Sequence, residues 1–408
     1  MEMKKELHNW KKKFAIIWSG QLFSILSSAT AQFAIVLWIG METGSAEALA
    51  YATVSGLLPQ IVLGPFAGVF VDRWNRKWTM IGADLFVAFC SALIALFFYL
   101  DIVELWAIYI LLTLRSIGGA FHTPAMKSAV PLLAPKSALV RIAGVNEVIQ
   151  SISIICGPIL GAIGLLHFGM SAVMLLDVAG AIIACTALVF VRIPKVTQAA
   201  QSAKSILRDM ASGVSIIWKN KGISWLMGCE IVINFFVMPI VAVMPLMTLQ
   251  YFKGSPYQVS LIEGLYGLGL LIGGLALSLW NPKIKKTVLI VFGFSALGIA
   301  LATCGVLPPT YFTAYAVMTI LQGLAVPFFT GPYTVLVQTQ FDPKYLGRVF
   351  SISGSIVQLP AMLGLLFAGI LADDIGVEKV FLIGGIVVTT TAIFLSLIPA
   401  VRRLEKEH

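Results

Sequence analysis

Charged residues are scarce in this sequence. Of 408 residues, 28 are Lys or Arg and 19 are Asp or Glu, which is 12% of the chain, whereas a soluble domain carries about a quarter. Hydrophobic residues make up 59%, and the mean hydropathy is +0.93. Too little polar surface remains to cover a soluble particle of this size. The composition therefore excludes an ordinary soluble domain and predicts a protein whose main solvent is lipid.

Cysteine is also scarce, and its spacing is typical of neither a metal site nor a disulfide framework. The five cysteines lie inside apolar stretches without a CxxC pair, so we predict that they are small helix-packing residues. The sequence contains no Walker A motif and no HExxH motif. We therefore expect no enzyme, no metal and no cofactor, and energy must come from an ion gradient or from none.

The net charge of +9 has a specific distribution along the chain. The basic residues form short runs between apolar stretches rather than one basic face, so nucleic acid is not an expected partner. If both termini are cytoplasmic, only Lys253 and Lys379 fall on the outer side, and Arg115 lies within a span. Because cytoplasmic loops carry the excess of Lys and Arg, the distribution predicts this orientation.

Long apolar runs account for most of the chain. About 20 apolar residues cross a hydrocarbon layer of about 30 Å, and twelve such runs are separated by basic or turn-forming clusters such as DRWNRK at 72–77. The sequence thus predicts an all-α polytopic membrane protein with twelve transmembrane helices. The predicted spans are 14–40, 47–72, 78–100, 104–125, 140–166, 169–191, 222–249, 257–280, 287–306, 310–336, 346–371 and 377–400.

The first span has one alternative interpretation. Three lysines at 11–13 precede an apolar run, as in a cleaved signal peptide. Gln21 interrupts that run, and cleavage would leave an odd number of spans and disturb the charge distribution. A first transmembrane helix is therefore the preferred prediction.

Two six-helix repeats are predicted, joined by a polar and basic segment near the middle of the chain. The predicted parts are an N-terminal bundle at 1–191, a cytoplasmic linker at 192–221 and a C-terminal bundle at 222–408. Similar offsets between corresponding positions indicate a duplication, which in a transporter places the cavity between the halves. The matches are Trp74-Asn75 with Trp280-Asn281 and Gly68 with Gly274 (206 residues apart), and Arg141 with Arg348, Gly157 with Gly364 and Arg115 with Gln322 (207 residues apart).

The most specific motif is GPFAGVFVDRWNRK at 64–77. Its glycines and carboxylate recur every four residues, so they share one helix face on which a second helix can approach closely. The loop resembles the signature GxxxDRxGRK of the major facilitator superfamily. This resemblance implies a charge network that locks the cytoplasmic gate in the outward-facing state, and a plain basic anchor is the alternative. The candidate gating residues are Gly64, Gly68, Asp72, Arg73, Arg76 and Lys77.

The motif departs from the superfamily signature at one position, and its equivalent in the second half departs at another. Asn75 stands where the superfamily usually has glycine, a mild departure because Asn also tolerates the left-handed conformation. The equivalent stretch of the second half, 273–286, lacks the carboxylate. We expect any gate there to be weaker or built differently.

Arg115 is the only basic residue deep in a span, and a charge there needs a partner. The candidate partners are Asp84, Glu147 and Asp177, of which position favours Glu147. With Gly118 and Gly119, Arg115 resembles the superfamily motif RxxxG, which implies a part in proton transfer. A purely structural ion pair is the alternative.

The stretch Gly157-Pro158 with Gly161 in the fifth span resembles the superfamily motif GPxxGG, although Ala162 replaces the final glycine. That motif is characteristic of antiporters, so the resemblance favours export over uptake. A proline within a span bends the helix, and the glycines permit close contact between helices.

Carboxylates and aromatic rings in the second half predict a substrate site. Glu230 and Glu263, together with Glu147, are candidates for proton coupling, because a desolvated Glu can hold a proton near neutral pH. A carboxylate beside aromatic rings also suits an amphiphile carrying an amine. The alternative for each Glu is a side chain that only points to a helix interface. The alternative for each Gln in the cavity set is a hydrogen bond that connects two helices. The candidate cavity residues are Gln21, Gln60, Asn234, Phe235, Phe236, Tyr266, Gln322 and Gln358.

Nearly the whole chain resembles the macrolide-efflux branch of the drug:proton antiporters, on stretches such as NWKKKFAIIWSGQ (9–21), LRSIGGAFHTPAM (114–126) and KYLGRVFSISGSI (344–356). The resemblance implies proton-driven macrolide export across a bacterial cytoplasmic membrane, beside a separate ribosome-protection ATPase in some relatives. The alternatives are export of another amphiphile, an uptake symporter or facilitator, and a non-transporting receptor.

Overall fold

The computed structural model describes residues 10–43, 46–194, 206–280 and 284–405. Within these residues the chain is helical and has no strand. The helices are α1 (Trp10–Thr43), α2 (Ala46–Arg73), α3 (Arg76–Tyr99), α4 (Leu105–Leu133), α5 (Leu139–Phe190), α6 (Ile206–Lys219), α7 (Lys221–Leu246), α8 (Pro256–Trp280), α9 (Lys286–Val306), α10 (Phe312–Ala325), α11 (Pro327–Gln340), α12 (Leu346–Ile375), α13 (Val377–Leu397) and α14 (Pro399–Arg403). Short 3₁₀ turns at Lys136–Ala138 and Pro343–Tyr345 precede α5 and α12, and a π-helical turn at Met247–Tyr251 follows α7.

The helices agree with the predicted all-α polytopic fold. In the described residues, eleven helical stretches are long and apolar enough to cross a membrane. One of them contains α5, which has 52 residues and bends at Gly169, where φ is +79°. Glycine adopts this left-handed backbone without the steric cost that a Cβ would add. Counting the two arms of α5 separately gives the twelve crossings that the apolar runs predict.

Three details differ from the predicted spans. Helix α4 continues to Leu133, two turns beyond the predicted end, with Pro124 and Pro131 inside it. The predicted tenth span is divided at Val326 into α10 and α11, because Pro327 has no N–H to continue the first helix. The predicted linker contains the amphipathic helix α6, whose polar residues concealed its helical periodicity. Asn281 and residues 195–205, on which other linker and repeat predictions rest, lie outside the described residues.

The chain divides into two compact units by its internal contacts. Unit 1 contains Met1–Leu139, Ile152–Val214 and Gln338–Ile352, and unit 2 contains Val140–Ser151, Ser215–Val337 and Ser353–His408. Each unit therefore includes one short segment from the opposite half of the sequence. The predicted division at 1–191 and 222–408 stays a prediction.

Each unit has its own apolar core. In unit 1, buried residues such as Ile35, Ile94 and Met174 belong to one cluster. In unit 2, the corresponding cluster includes Tyr315 and Phe381, both fully buried. Large apolar side chains such as those of Phe89 and Leu279 remain exposed on these helices, as expected where lipid is the solvent.

Glu405, after the last helix, caps the start of α9. Its carboxylate accepts hydrogen bonds from the backbone N–H of Lys286 (3.0 Å) and of Thr287 (3.2 Å), and from the Lys286 ammonium (3.0 Å). Burial alone would raise the pKa of Glu405, but these hydrogen bonds and the Lys286 charge lower it below its usual value. A carboxylate at a helix N-terminus also interacts favourably with the helix dipole.

Candidate functional site

Asp72, at the end of α2, is the centre of a buried charge network in unit 1. It is 1% exposed. One carboxylate oxygen accepts the backbone N–H of Gly347 at 2.6 Å, and the other accepts the backbone N–H and the Nε of Arg348 at 3.1 and 2.8 Å. Arg76 lies 4.0 Å away. Hydrogen bonds to an ionised group are stronger than neutral ones, so this carboxylate fixes the start of α12 against the end of α2.

Arg348 also connects two other elements of unit 1. Its Nη1 donates to Ser212 Oγ of α6 at 2.9 Å, and its guanidinium lies over the Tyr345 ring. The Nη2 of Arg76 donates to the carbonyl of Pro343 at 2.6 Å. Both guanidinium groups therefore hold the segment at 343–348, although the motif itself contains only one of them.

The other motif residues have distinct positions. Arg73 is exposed, and Lys77 donates from its ammonium to the carbonyl of Val189 at 2.8 Å. Asn75 has φ −73° and ψ 113°, and its side chain accepts the N–H of Lys77 as the N-cap of α3. The left-handed backbone considered for Asn75 is thus wrong, and N-capping explains an Asn at this position.

Gly68 permits the close approach of α2 and α12 that the charge network requires. A β-carbon at this position would lie 2.7 Å from the Arg348 Cα and 2.7 Å from the Gly347 carbonyl oxygen. Both are backbone atoms, which cannot move aside without shifting the helix. Gly64, one turn earlier on α2, is buried. The predicted small-residue face therefore contacts another helix.

We expect Gly68→Ala to destabilise the protein by about 1–3 kcal/mol, the usual range for overpacking. Gly82→Ala is the matched control in the same unit, because a β-carbon there would meet no described heavy atom within 4 Å. The measurement is the thermal unfolding midpoint of each purified variant in detergent. Equal midpoints for the two variants would contradict the close packing at Gly68.

Unit 2 repeats this packing without the charge. A β-carbon at Gly274 would lie 3.1 Å from the Val148 nitrogen and 3.2 Å from the Glu147 Cβ, and one at Gly144 would lie 2.5 Å from the Ser278 nitrogen. Ser278 stands 206 residues after Asp72, at the equivalent position. The two units thus share the helix contact that the repeat predicts, and the missing carboxylate of the second stretch is replaced by a serine.

Arg115 pairs with Asp177 inside unit 1. The Arg115 Nη1 lies 2.6 Å from the Asp177 Oδ2, and the two residues are 8% and 1% exposed. Asp177 also accepts hydrogen bonds from Ser28 (2.7 Å), Ser27 (3.3 Å) and Ser91 (2.7 Å), and Ser91 accepts one from Arg115. The preference for Glu147 as the partner of Arg115 is therefore wrong. Arg115 pairs with Asp177 of α5, whose carboxylate also accepts hydrogen bonds from three serine hydroxyls.

The candidate antiporter motif packs α5 against α1 within unit 1. A β-carbon at Gly157 would lie 2.9 Å from the Ala29 Cβ, and one at Gly161 would lie 2.7 Å from the Thr30 carbonyl oxygen. Pro158 lies within α5 between these contacts. The glycines therefore provide the close helix contact expected of them.

The candidate coupling carboxylates fall in unit 2 and differ in their surroundings. Glu147 is half-buried beside α8 and within electrostatic reach of Tyr266. Glu230 of α7 is half-buried in a polar cluster with Tyr333 of α11 and Ser353 of α12. Glu263 of α8 is exposed.

The sequence matches a protein family and several known proteins over most of its length. The family described as transmembrane secretion effector matches residues 9–408. The chain belongs to this family of the major facilitator superfamily. It is 40% identical over 403 residues to macrolide efflux protein A of Streptococcus pyogenes, covering 98% of this chain and 99% of that protein. It is also 40% identical over 324 residues to macrolide efflux protein A of Enterococcus faecalis, covering 79% of this chain and 100% of that protein.

Solved structures support the same fold. The human organic anion transporter MFSD10 (TETRAN) superposes with a TM-score of 0.73 at 15% identity, covering 95% of this chain and 99% of that chain. At this identity the likeness shows the major facilitator fold alone. The chain is accordingly a multi-pass membrane transporter of this superfamily and not an enzyme.

The candidate cavity residues of this transporter are not all in one environment. In unit 2, Asn234 donates to the carbonyl of Glu230 at 2.9 Å, and the rings of Phe235 and Phe236 are 5.3 Å apart. Gln322 is buried and donates to the Cys304 sulfur at 3.2 Å, an arrangement that favours the helix-connecting alternative. Gln358 is exposed.

The two remaining glutamines lie in unit 1. Gln21 is fully buried, and its side-chain amide has no hydrogen-bond partner in the described residues. Gln60 is half-buried next to Gly119. An apolar groove of about 590 Å³ lies elsewhere in unit 1, between α3 and α4, and its lining includes Trp78, Gly82 and Phe121.

Several residues of these charged and polar clusters could not be selected from the sequence. Arg348 appeared as a repeat match and as a basic loop residue, and its place in the Asp72 network was missed. The serines around Asp177 were also missed, because serine is common in membrane helices as a small packing residue. Tyr333 and Ser353 beside Glu230 carried no distinguishing local pattern. The one available signal was the repeat of Arg141 as Arg348, which indicates corresponding positions in the two halves.

Proposed function

We propose that this chain exports macrolide antibiotics from the bacterial cytoplasm by alternating access and that inward movement of protons drives the export. The observation that carries this proposal is the 40% identity to macrolide efflux protein A, over 98% of this chain and 99% of that protein. The similarity covers nearly every predicted span and loop. A family of secretion effectors is also consistent with outward transport.

We further propose that both termini lie in the cytoplasm, as the distribution of Lys and Arg supports. The Asp72 network then lies at the cytoplasmic face of unit 1. The network holds α2 to the start of α12, so its release is the step that frees these elements when the cytoplasmic side opens. Gly64, Gly68, Arg73 and Lys77 support the same gate through packing and loop charge.

Proton coupling requires a group whose protonation changes the relative stability of the two transport states. Glu147, Glu230 and Glu263 remain the proposed coupling carboxylates, because each lies on a helix within the second unit. Arg115 is not proposed to act on Glu147, since Asp177 holds its guanidinium. Arg115 is instead proposed as a positioning residue that fixes α4 against α1, α3 and α5.

The substrate is proposed to bind near the second-unit residues Asn234, Phe235, Phe236 and Tyr266. Macrolides of the class exported by this branch are large amphiphiles that carry an amine, so aromatic rings and a nearby carboxylate are suitable contacts. A separate ribosome-protection ATPase is proposed to add resistance in the cell without being needed for transport. Flux in proteoliposomes that contain this chain alone tests that independence.

The decisive experiment measures efflux of labelled erythromycin from a pump-deficient bacterial strain that expresses the protein, with and without a protonophore. We expect export that the protonophore abolishes. Glu147→Gln, Glu230→Gln and Glu263→Gln are assayed in parallel at matched membrane levels, and at least one is expected to reduce export about tenfold or more, because an amide cannot bind and release the coupled proton.

The alternatives give different results in the same assay. Absence of export by well-expressed protein, with binding retained, would indicate a receptor. Protonophore-sensitive accumulation would indicate an uptake symporter, and export of other amphiphiles without erythromycin would overturn only the substrate. Glu42→Gln, at an exposed carboxylate near the end of α1, serves as the control for loss of a carboxylate.

A further inference from the structure

An acid and a base face each other inside unit 1 and take no part in the proposed gate. Asp84 lies on α3 and His122 on α4, and the His122 Nε2 is 3.4 Å from the Asp84 Oδ1. The side chains are 9% and 15% exposed. Asp84 lies eight residues into α3, so at 1.5 Å per residue it is about 12 Å along the helix. Both groups are therefore inside predicted membrane spans.

This pair lacks the hydrogen bonds that satisfy the other buried acid of the unit. The Asp84 Oδ2 and the His122 Nε2 have no hydrogen-bond partner in the described residues. Asp177, by contrast, is bound by Arg115 and three serines. A buried charge without enough partners is costly. Arg115 and the serine hydroxyls favour the ionised form of Asp177. Asp84 lacks such partners in the described part of the chain and faces a histidine, which can itself gain or lose a proton.

Among the other titratable groups of unit 1, Cys185 has an electrostatic interaction with Asp84. Cys185 of α5 lies near Asp84, with its sulfur 3.8 Å from the Ile81 carbonyl oxygen. Asp84 is the charged group that acts on His122. Within unit 1, the other charged residues of helices α1 to α5 and of the 3₁₀ turn before α12 are Lys11, Lys12, Lys13 and Glu42 of α1, Glu47, Asp72 and Arg73 of α2, Arg76 and Lys77 of α3, Arg115 and Lys127 of α4, Asp177 of α5, and Lys344 of the turn.

The pair also lies next to the part of α4 that contacts the gate. Pro124, two residues after His122, removes one helical hydrogen bond and weakens α4 at that point. Beyond it, the Lys127 carbonyl accepts from Gln338 Nε2 at 2.9 Å, and the Lys127 ammonium lies over the Phe350 ring. Gln338 and Phe350 flank Arg348 in the same segment of unit 1. A change of charge at His122 therefore occurs about one turn before Lys127, the residue of α4 that contacts this segment.

We propose that Asp84 and His122 form a proton-binding site whose occupancy changes during the transport cycle. With Asp84 ionised, the neutral imidazole keeps its proton on Nε2 toward the carboxylate. A proton taken from water then binds the other ring nitrogen, which gives an imidazolium–carboxylate pair, and the same proton returns to water on release. Histidine is suited to this exchange because its charge changes near physiological pH. This inference rests on the proposed proton-driven export.

The test uses purified full-length protein in detergent and measures erythromycin affinity between about pH 5 and 8, together with proton release or uptake on binding. We expect the wild-type affinity to change about threefold or more across this range, as for a modest linkage between two sites. His122→Asn and Asp84→Asn are each expected to flatten the profile and to lower the number of protons exchanged at least twofold. His167→Asn is the matched control, because that histidine is exposed at the bend of α5.

The outcomes separate this inference from the proposed function. Wild-type pH dependence and proton exchange in both Asp84→Asn and His122→Asn would overturn the proton site and leave macrolide export intact. Absence of erythromycin binding or export by the wild type would overturn the proposed function itself. If His122→Asn fails to fold because Asp84 loses its partner, the Asp84→Asn and double variants decide, since neither leaves a buried anion.

Discussion

Asp72→Asn is expected to lower macrolide export at least tenfold at equal membrane levels of the protein. Asparagine keeps the shape of the side chain and removes its charge. The buried Arg348 guanidinium then loses its anion, and breaking a buried pair by removing one partner costs about 3–5 kcal/mol. Because Asp72 joins the end of α2 to the backbone of Gly347 and Arg348, the loss falls on the state in which these elements are in contact. The measurement is the initial rate of erythromycin efflux from energised cells.

Two further variants make this expectation specific. Ser278→Ala alters the equivalent position of unit 2, where the structure has no charge to lose and alanine adds no volume to the close helix contact, and we expect it to retain export within about twofold. Arg348→Lys keeps the positive charge but removes the guanidinium, whose Nε donates to Asp72 and whose Nη1 donates to Ser212, so an intermediate loss is expected. Normal export by Asp72→Asn together with normal export by Arg348→Lys would contradict a gating role for the network.

The sequence predicts the membrane spans well because each depends on a local property, a run of about 20 apolar residues. It also locates the loop around Asp72, since glycine spacing and the following basic residues are local as well. The partner Arg348 is 276 residues away in the chain. No spacing rule connects the two, so the motif alone predicts a charged loop and not what that loop binds.

The Arg115 pair illustrates a second limit. The cost of a charge in a span predicts that a partner exists, yet three acids were compatible with the helix order. Helix rotation decides among them, because a turn of 100° per residue carries a side chain from one neighbour to another. Ser27, Ser28 and Ser91 turn toward Asp177, and in the sequence each is indistinguishable from a packing serine. The carboxylate with the most hydroxyl neighbours is recognised only after the helices are assembled.

Asparagine at position 75 shows how a departure from a family pattern can be explained once the backbone is known. A glycine in that loop suggests a residue with left-handed backbone, a conformation that Asn also tolerates. The observed φ of −73° lies in the ordinary region, and the Asn side chain caps α3. The substitution therefore exchanges backbone freedom for a hydrogen bond at the helix start, which requires no unusual backbone.

Asp177→Asn is expected to destabilise the protein by about 3–5 kcal/mol, because it leaves the Arg115 guanidinium buried without an anion. The double variant Arg115→Met with Asp177→Leu is expected to recover most of this loss, since apolar residues of similar volume need no counter-charge in the core of unit 1. Unfolding midpoints in detergent and protein levels in the membrane are the measurements. Glu263→Gln, at an exposed carboxylate within a span, is the control and is expected to change the midpoint little.

This comparison separates two roles for the pair. Recovery of stability by the double variant with retained export would show that Arg115 and Asp177 serve only to satisfy each other. Recovery of stability with lost export would assign the pair a function in transport, because folding would then be restored without it. A double variant as unstable as Asp177→Asn would contradict the expectation, since the serines, and not the guanidinium, would then account for the cost of the substitution.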